Sequence, residues 1–274
     1  MKYGRHSLLL ASALFTAPLS ASDDQPRSTT LAKEDKVVWS NVAGMALISA
    51  WGITTWDYGS QRPHMESDGW FGKDDKHAGM DKLGHFYANY TLAHGLSSLY
   101  QSWGYERRHA ARLGALSAFG LMGFMEFGDS FGGHGFSRQD FIMNTLGAIT
   151  GYVFRTQPAL ARRIDFRVEY IPGGQRDIFT DYENMRFLAA LKLDGIRAVR
   201  NKYLRYLDLQ LGYYTHNYSP WAQENRERNI YVAVGINLSH VFNKLSHRKT
   251  ARFFNYYQMP YTYIDRSKNL NAPP

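Results

Sequence analysis

The sequence predicts an α+β protein, with an N-terminal four-helix bundle followed by an antiparallel, β-rich C-terminal half. Four long apolar segments lie between residues 37 and 157, and turn residues or caps bound them. Beyond Pro158 the pattern changes, because residues 164–172, 203–218 and 228–242 alternate polar and apolar side chains. We therefore expect a helical bundle domain over 37–157, with membrane embedding as an open alternative, and a β-rich region over 158–274.

The N-terminus has the layout of a secretory signal peptide over residues 1–22. Two basic residues precede an apolar run over 8–14, and small residues follow it. The alternative is an uncleaved membrane anchor, and in both cases the chain is exported. The polar residues 23–36 are predicted to be a flexible leader. We expect a periplasmic or periplasm-facing location, with the outer membrane as one possibility.

Three of the four predicted helices occupy the first part of the bundle. The first, over 37–56, has no charged residue, so it is long enough to span a bilayer or to be a buried helix. A loop rich in Gly, Asp and Lys covers 57–80. The second helix runs over 81–103 and ends at Gly104, and the third runs over 106–127.

The fourth helix follows a glycine-rich loop. Ser137 is its predicted N-cap, the helix covers 138–154, and Pro158 marks its limit. In the β-rich half, residues 219–227 are typical of a turn, which favours an antiparallel pair between the strands on either side. The segment 185–196 fits either a helix or a strand, and we favour a strand.

Charge and cysteine content exclude several functions. The formal net charge is +8 and the pI is about 9.5, which favours anionic partners. The basic residues are scattered and no nucleic-acid-binding motif accompanies them, so we expect a membrane lipid or an envelope component and no nucleic acid. The chain has no cysteine, which excludes disulfides, thiolate metal sites and acylation of an N-terminal Cys.

Polar residues recur at one end of the predicted helices. Asp81, His85 and Asn89 are four residues apart and share one helix stripe, whereas His94 lies about 180° from His85. An acid in a first helical turn also favours the helix dipole, so Asp81 alone could be a cap. Likewise, a lone histidine on an apolar helix is more often a core residue than a ligand.

The next two helices carry matching residues. Glu126 and Asp129 end the third helix, where acids oppose the macrodipole, and Asp140 and Asn144 start the fourth. Short connections make successive helices antiparallel, so these ends meet. The candidate site therefore comprises His85, Asp81, Glu126, Asp129, Asp140 and Asn144.

The segments "GMDKLGHFYANYTLAHGLSSLY" and "FMEFGDSFGGHGFSRQDFIMNTLGAITGY" resemble an uncharacterised family of predicted periplasmic lipoproteins typified by YfiM. The order D-K-x-x-H-F, an acid-bearing helix end and S-x-x-D-x-x-x-N-x-x-G also resembles VanZ-like membrane proteins. The first resemblance implies an envelope location and the second an association with glycopeptide tolerance. Neither implies a mechanism, and the missing cysteine departs from the lipoprotein label.

Two function classes follow. The first is a membrane-associated structural or binding protein, in which the polar cluster holds the helices in register. The second is a hydrolase that uses metal assistance or acid–base catalysis on an envelope lipid or wall precursor. The sequence leaves the cofactor and any metal unknown, and it contains no H-E-x-x-H, G-x-S-x-G or P-loop motif.

Overall fold

The computed structural model describes residues 31–174, 177–218 and 224–272, so the predicted signal peptide and residues 23–30 of the predicted leader lie outside it. Four long helices form the N-terminal half, which confirms that part of the predicted fold class. They are α1 (Lys33–Thr55), α2 (Met80–Ser102), α3 (Arg107–Asp129) and α4 (Arg138–Thr156). The first begins four residues before the predicted start, so the end of the predicted leader is helical.

The helix ends follow from local chemistry. The Glu106 carboxylate accepts hydrogen bonds from the backbone N–H groups of Arg108 and His109 and so caps α3. Ser137 accepts from the backbone N–H of Asp140, which confirms the predicted cap of α4. After α2 the chain turns at Gly104, whose φ of 92° suits glycine.

Helix α2 is the centre of the bundle, because it packs against both α3 and α4. Small residues allow the close approach. An added Cβ at Gly147 of α4 would lie 2.4 Å from the carbonyl oxygen of Phe86, and one at Gly114 of α3 would lie 2.5 Å from the backbone nitrogen of Ser97. Helix α1 packs mainly on α3 and reaches α2 through hydrogen bonds of Ser40 and Asn41 with the Tyr100 hydroxyl, and Gly52 is its one buried residue.

The C-terminal half contains a five-stranded antiparallel sheet with strands in consecutive order, which confirms the remainder of the fold class. The strands are β1 (Ile164–Tyr170), β2 (Met185–Lys192), β3 (Leu207–His216), β4 (Glu227–Ile236) and β5 (Tyr263–Asn269). The ambiguous segment 185–196 thus supplies a strand, as favoured, followed by a short 3₁₀ turn.

Several predicted boundaries were wrong. The strand predicted over 203–218 begins at Leu207, because a 3₁₀ turn occupies Leu204–Tyr206. The strand predicted over 228–242 stops at Ile236, since the Asn237 side chain accepts from the backbone N–H of His240 and starts helix α6. The β-rich half also holds α5, α6 and α7 (Pro158–Ala161, Leu238–Lys244 and Arg248–Phe253), and β5 was not predicted.

The sheet curls, because one segment links its two edges. The backbone N–H of Val168 donates to the carbonyl of Tyr256, and the N–H of Gln258 donates to the carbonyl of Val168. This segment lies beside the free edge of β1, and β5 begins five residues after Gln258. The Tyr263 hydroxyl of β5 also interacts with the Glu169 carboxylate of β1, so the two outer strands approach each other.

The two faces of the sheet differ in chemistry. One face carries Phe166, Met185 and Phe187, which pack against the first half of α2. The other face is buried and carries both a group of paired charges and an apolar cluster that includes Leu188, Tyr214 and Tyr231. There the Arg167 guanidinium, 2% exposed, donates to Asp165, Asp208 and Gln258 at 2.8–3.0 Å. Buried charges are tolerated at this face because they are paired.

We predict that Gly147→Ala lowers the free energy of unfolding by about 1–3 kcal/mol, because the new methyl group meets Phe86 and Asn89. The matched control is Gly123→Ala on α3, where an added Cβ meets no described atom within 4 Å. That change should stabilise the helix by about 0.5–1 kcal/mol. Urea unfolding followed by circular dichroism measures both, and equal midpoints for the two variants would contradict the close packing of α4 on α2.

Candidate functional site

The candidate site lies where the start of α2, the end of α3 and the start of α4 meet. Of the six residues predicted from sequence, five lie in one contiguous cluster: Asp81, His85, Glu126, Asp140 and Asn144. The short turns between antiparallel helices bring these ends together. The cluster also contains two residues that were not predicted as members, Lys82 and Asp68.

Lys82 is the cation of the cluster, and its side chain is completely buried. Its Nζ atom lies 2.7 Å from Asp81 Oδ2, 2.9 Å from Asp140 Oδ1 and 3.9 Å from Asp68 Oδ2. These three acids come from the loop before α2, from α2 itself and from α4. The ammonium group therefore connects three separate segments of the chain.

His85 and Glu126 form the other side of the cluster. His85 Nδ1 lies 3.1 Å from Glu126 Oε1, and His85 Nε2 lies 3.8 Å from Asp140 Oδ1. Asn144 donates from Nδ2 to Glu126 Oε1 at 3.2 Å. The imidazole keeps 14% of its side-chain surface exposed and the Glu126 carboxyl 2%, so His85 connects the buried acid with the protein surface.

Asp129, the sixth predicted residue, lies one helical turn from Glu126 beside Tyr58. Burial raises the pKa of Asp129 to about 7, although a hydrogen bond from Tyr58 acts in the opposite direction. Asp140 and Asp68 raise this pKa further. Asp129 thus contributes to the field of the cluster without contacting His85 or Lys82 among the described contacts.

The electrostatics of the cluster reflect an excess of acids. Burial raises the pKa of Glu126 to about 9, and the nearby Asp140 and Asp129 add to the effect. The backbone N–H of Ser137 and the Lys82 ammonium act in the opposite direction but do not cancel it. Glu126 therefore holds its proton at neutral pH unless a cation approaches it.

Burial and charge pairing also act in opposite directions on the pKa values of the ion pair between Lys82 and Asp81. Burial raises the pKa of Asp81, and the nearby Lys82 only partly opposes this. Burial alone would lower the pKa of Lys82, but Asp81 and Asp140 outweigh it and the net shift is upward. Lys82 stays charged as a result.

Several buried polar atoms in this region have no hydrogen-bond partner. They include both amide atoms of Asn89, which lies one turn beyond His85, and Asn144 Oδ1. His85 Nδ1 also makes no aligned hydrogen bond despite its closeness to Glu126. Such atoms are rare in folded proteins, so this region is where a ligand would find free donors and acceptors.

Sequence reasoning missed Lys82, although it stands in the quoted motif "DKLGHF". Lysine is rarely buried, and its position in an apolar helix was the available signal. His94, set apart from the stripe, is a satisfied core residue: its ring nitrogens lie 2.8 Å from Tyr256 Oη and 3.1 Å from the carbonyl oxygen of Gly151.

The arrangement supports two kinds of chemistry. Carboxyl groups with raised pKa values and an imidazole suit proton transfer. The His85, Glu126 and Asp140 side chains could also hold a metal ion, as could Asp68, Asp81 and Asp140. Fold and site together define an α+β protein with an acid-rich buried cluster at one end of a helical bundle.

Comparison with known proteins gives a family match for part of the chain. Residues 67–156 match the sequence model of a family described as "Predicted periplasmic lipoprotein (DUF2279)". The match covers the loop before α2 and helices α2 to α4, and with them every residue of the cluster. No curated protein and no solved structure matches the chain.

The family description supports the predicted export to the periplasm and the resemblance to predicted periplasmic lipoproteins. It does not extend to the narrower resemblances to YfiM or to VanZ-like proteins, and it gives no biochemical activity.

We predict that Glu126 contributes stability that is lost as pH rises from about 5 to 9. Folded Glu126 keeps its proton up to about pH 9, whereas the unfolded chain releases it near the ordinary value of 4.5. The folded state therefore binds more protons across this window, and this stability is lost as pH rises. Glu126→Gln should flatten the slope by up to about 1.4 kcal/mol per pH unit. Urea unfolding at several pH values measures this, and parallel slopes for the two proteins would refute the shifted carboxyl.

We predict that Lys82→Met lowers the free energy of unfolding by about 3–5 kcal/mol, because it leaves buried carboxylates without their cation. Lys76→Met, at an exposed position in the loop before α2, is the control and should change stability by less than about 0.5 kcal/mol. Chemical unfolding compares the three proteins. A small loss for Lys82→Met would show that water or a bound ion replaces the ammonium group.

Proposed function

We propose that this protein is a membrane-associated binding protein of the cell envelope, and that the sheet lies against lipid. The observation that carries the proposal is an exposed apolar surface on β3, β4 and β5, which we call the outer sheet face. Its residues are Leu209, Leu211, Ile230, Val232, Val234, Ile236 and Ile264.

The strand register makes this surface continuous. Leu209 pairs with Val234, which pairs in turn with Ile264, so the three side chains form one row across the sheet. Leu211 and Val232 form the next row. The exposed fractions are high, at 59% for Val232 and 86% for Ile264. Contiguous apolar surfaces of this kind mark interaction sites.

The burial pattern on the opposite face of the same strands also supports contact with lipid. Asp208 and Gln210 of β3 alternate with Leu209 and Leu211, yet the polar residues are the buried ones. A sheet in water buries its apolar face and exposes its polar face. A reversed pattern, with polar residues inside and apolar residues outside, is typical of sheets that face lipid.

Basic and aromatic residues border the outer sheet face. Arg266 and Lys268 of β5 pair with Val232 and Ile230 and so share this face at one margin. Tyr261, 92% exposed, lies just before β5 at the other end of that strand. Bases attract anionic headgroups, and tyrosines are enriched at the boundary between lipid and water.

Helix α1 supplies a second apolar surface. Within the described ranges it is the one helix with the length and hydropathy to cross a bilayer. Its exposed side chains include Trp39 at 60% and Leu47 at 72%. Because these apolar side chains are exposed on a helix of spanning length, α1 supports membrane attachment.

In this proposal the polar cluster holds the bundle in register, because Lys82 and its acids join α2, α4 and the preceding loop. A second candidate function is hydrolysis of an envelope lipid or wall precursor. It is favoured by one observation: His85 is partly exposed and contacts the deeply buried Glu126, which is the geometry of a proton relay to the surface.

The absence of cysteine allows a direct test with single labelled positions. Val232→Cys places a fluorescent label on the outer sheet face, and Ser267→Cys places one at an exposed position on the opposite face of β5. Purified protein is mixed with vesicles of phosphatidylethanolamine and phosphatidylglycerol. We expect the Val232 label to be quenched by brominated lipid and shielded from iodide, because the apolar face is buried in lipid.

The Ser267 label should stay accessible to iodide under the same conditions. If the protein floats with the vesicles but both labels remain in water, attachment is through α1 alone and the sheet proposal fails. If the protein does not float, and carbonate also removes it from cell membranes, membrane association itself is excluded.

A further inference from the structure

We propose that His85, Glu126 and Asp140 bind a divalent transition-metal ion, with the Asn144 side-chain oxygen as an additional donor. This site goes beyond the membrane association proposed above and does not depend on it. Each of three helices contributes at least one donor: α2 contributes the imidazole, α3 the glutamate, and α4 both the aspartate and the amide.

The first argument is geometric. One donor atom from each of His85, Glu126 and Asp140 lies within 4.8 Å of the other two. Metal–ligand bonds to nitrogen and oxygen are about 2.0–2.2 Å long, so donors around one ion stand roughly 3–3.5 Å apart. The separation of 3.1 Å between His85 Nδ1 and Glu126 Oε1 already fits. The 3.8 Å between His85 Nε2 and Asp140 Oδ1 involves the other ring nitrogen, so an ion takes one of the two nitrogens and the remaining carboxylate must move towards it.

The second argument is the set of buried donors that have no partner. Asn144 is completely buried, and its Nδ2 atom contacts Glu126, so the side chain points into the cluster. Its Oδ1 atom has no hydrogen-bond partner. His85 Nδ1 lies beside Glu126 without an aligned hydrogen bond. Close donors that do not bond to each other are what a cation between them would require.

A competing group of acids is less suitable. Asp68, Asp81 and Asp140 also lie close together, but Lys82 Nζ already lies 2.7–3.9 Å from an oxygen of each of them. Lys82 thus compensates the charges of Asp68 and Asp81 from within the protein, whereas Asp140 is shared between the two groups. Glu126 and His85 have no comparable cation among the described residues, so the ion belongs on their side of Asp140.

The donor set also selects the metal. Imidazole binds zinc, iron and other transition metals well, whereas magnesium and calcium favour sites made of oxygen alone. One nitrogen with carboxylate and amide oxygens therefore points to Zn²⁺ or Mn²⁺. The lack of thiolate ligands excludes a cysteine-rich structural zinc site.

The test uses the purified full chain after treatment with a chelator. ZnCl₂, MnCl₂, MgCl₂ and CaCl₂ are titrated separately, with calorimetry for stoichiometry and thermal unfolding for stabilisation. We expect one Zn²⁺ or Mn²⁺ per chain and a rise in Tm of about 5–10 °C at about 100 times Kd. Binding of Mg²⁺ or Ca²⁺ alone, or of no ion, overturns the proposal.

Matched variants locate the ion. Glu126→Gln and His85→Gln keep the approximate size of each side chain and should raise Kd by about 100-fold or more, because each removes a ligand. Asp74→Asn removes an exposed acid in the loop before α2 that is outside the donor set, and should leave stoichiometry and Kd unchanged. Tight binding retained in both Gln variants means that another site binds the metal, which overturns the proposal.

If neither Gln variant folds, X-ray absorption spectroscopy of the metal-loaded wild type decides. We expect a first shell of one imidazole nitrogen with oxygens, and several imidazole nitrogens would refute the proposed site.

Discussion

The buried ammonium group of Lys82 is the interaction on which the helical half depends. It is completely enclosed and lies within ion-pair distance of Asp68, Asp81 and Asp140, so the chain before α2, α2 itself and α4 must all be in place for the charge to be compensated. A buried charge without a partner is strongly unfavourable. This requirement fixes the start of α2 against α4, and α2 in turn is the surface on which the sheet packs through Met80.

The sheet also contains a buried cation that is paired with acids, but its surroundings differ from those of Lys82. Arg167 and its acids lie on the buried face of the strands beside the apolar cluster of Leu188, Tyr214 and Tyr231, and the exposed apolar residues of β3 to β5 lie on the opposite face. In the helical half the apolar residues around Met80 remain inside. The protein thus combines a packed apolar cluster at the start of α2 with a sheet that carries apolar side chains on both faces, one buried and one exposed.

Helices and strands whose ends are set by local chemistry were predicted correctly from the sequence. Those that depend on tertiary contacts were missed. Ser137 and Gly104 marked helix ends correctly because caps act within one turn. The strand β5 was missed because "YIDRSKN" carries little apolar pattern and forms only beside β4. Five of the six candidate site residues lie together because short connections dictate where antiparallel helix ends meet. Lys82 was overlooked because its burial depends on acids that are distant in sequence, such as Asp140.

The consecutive order of the strands has a consequence for how the chain acquires its structure. Each strand pairs with its neighbour in sequence, so β1 to β4 assemble from local contacts as synthesis proceeds. The segment around Gln258, which pairs with β1 and contacts Arg167, is made only after these four strands. Until those residues emerge, the charged interior stays open on one side. Nascent chains therefore pass through a stage with an unpaired β1 edge, and a C-terminal truncation before residue 256 would trap them there as aggregation-prone species.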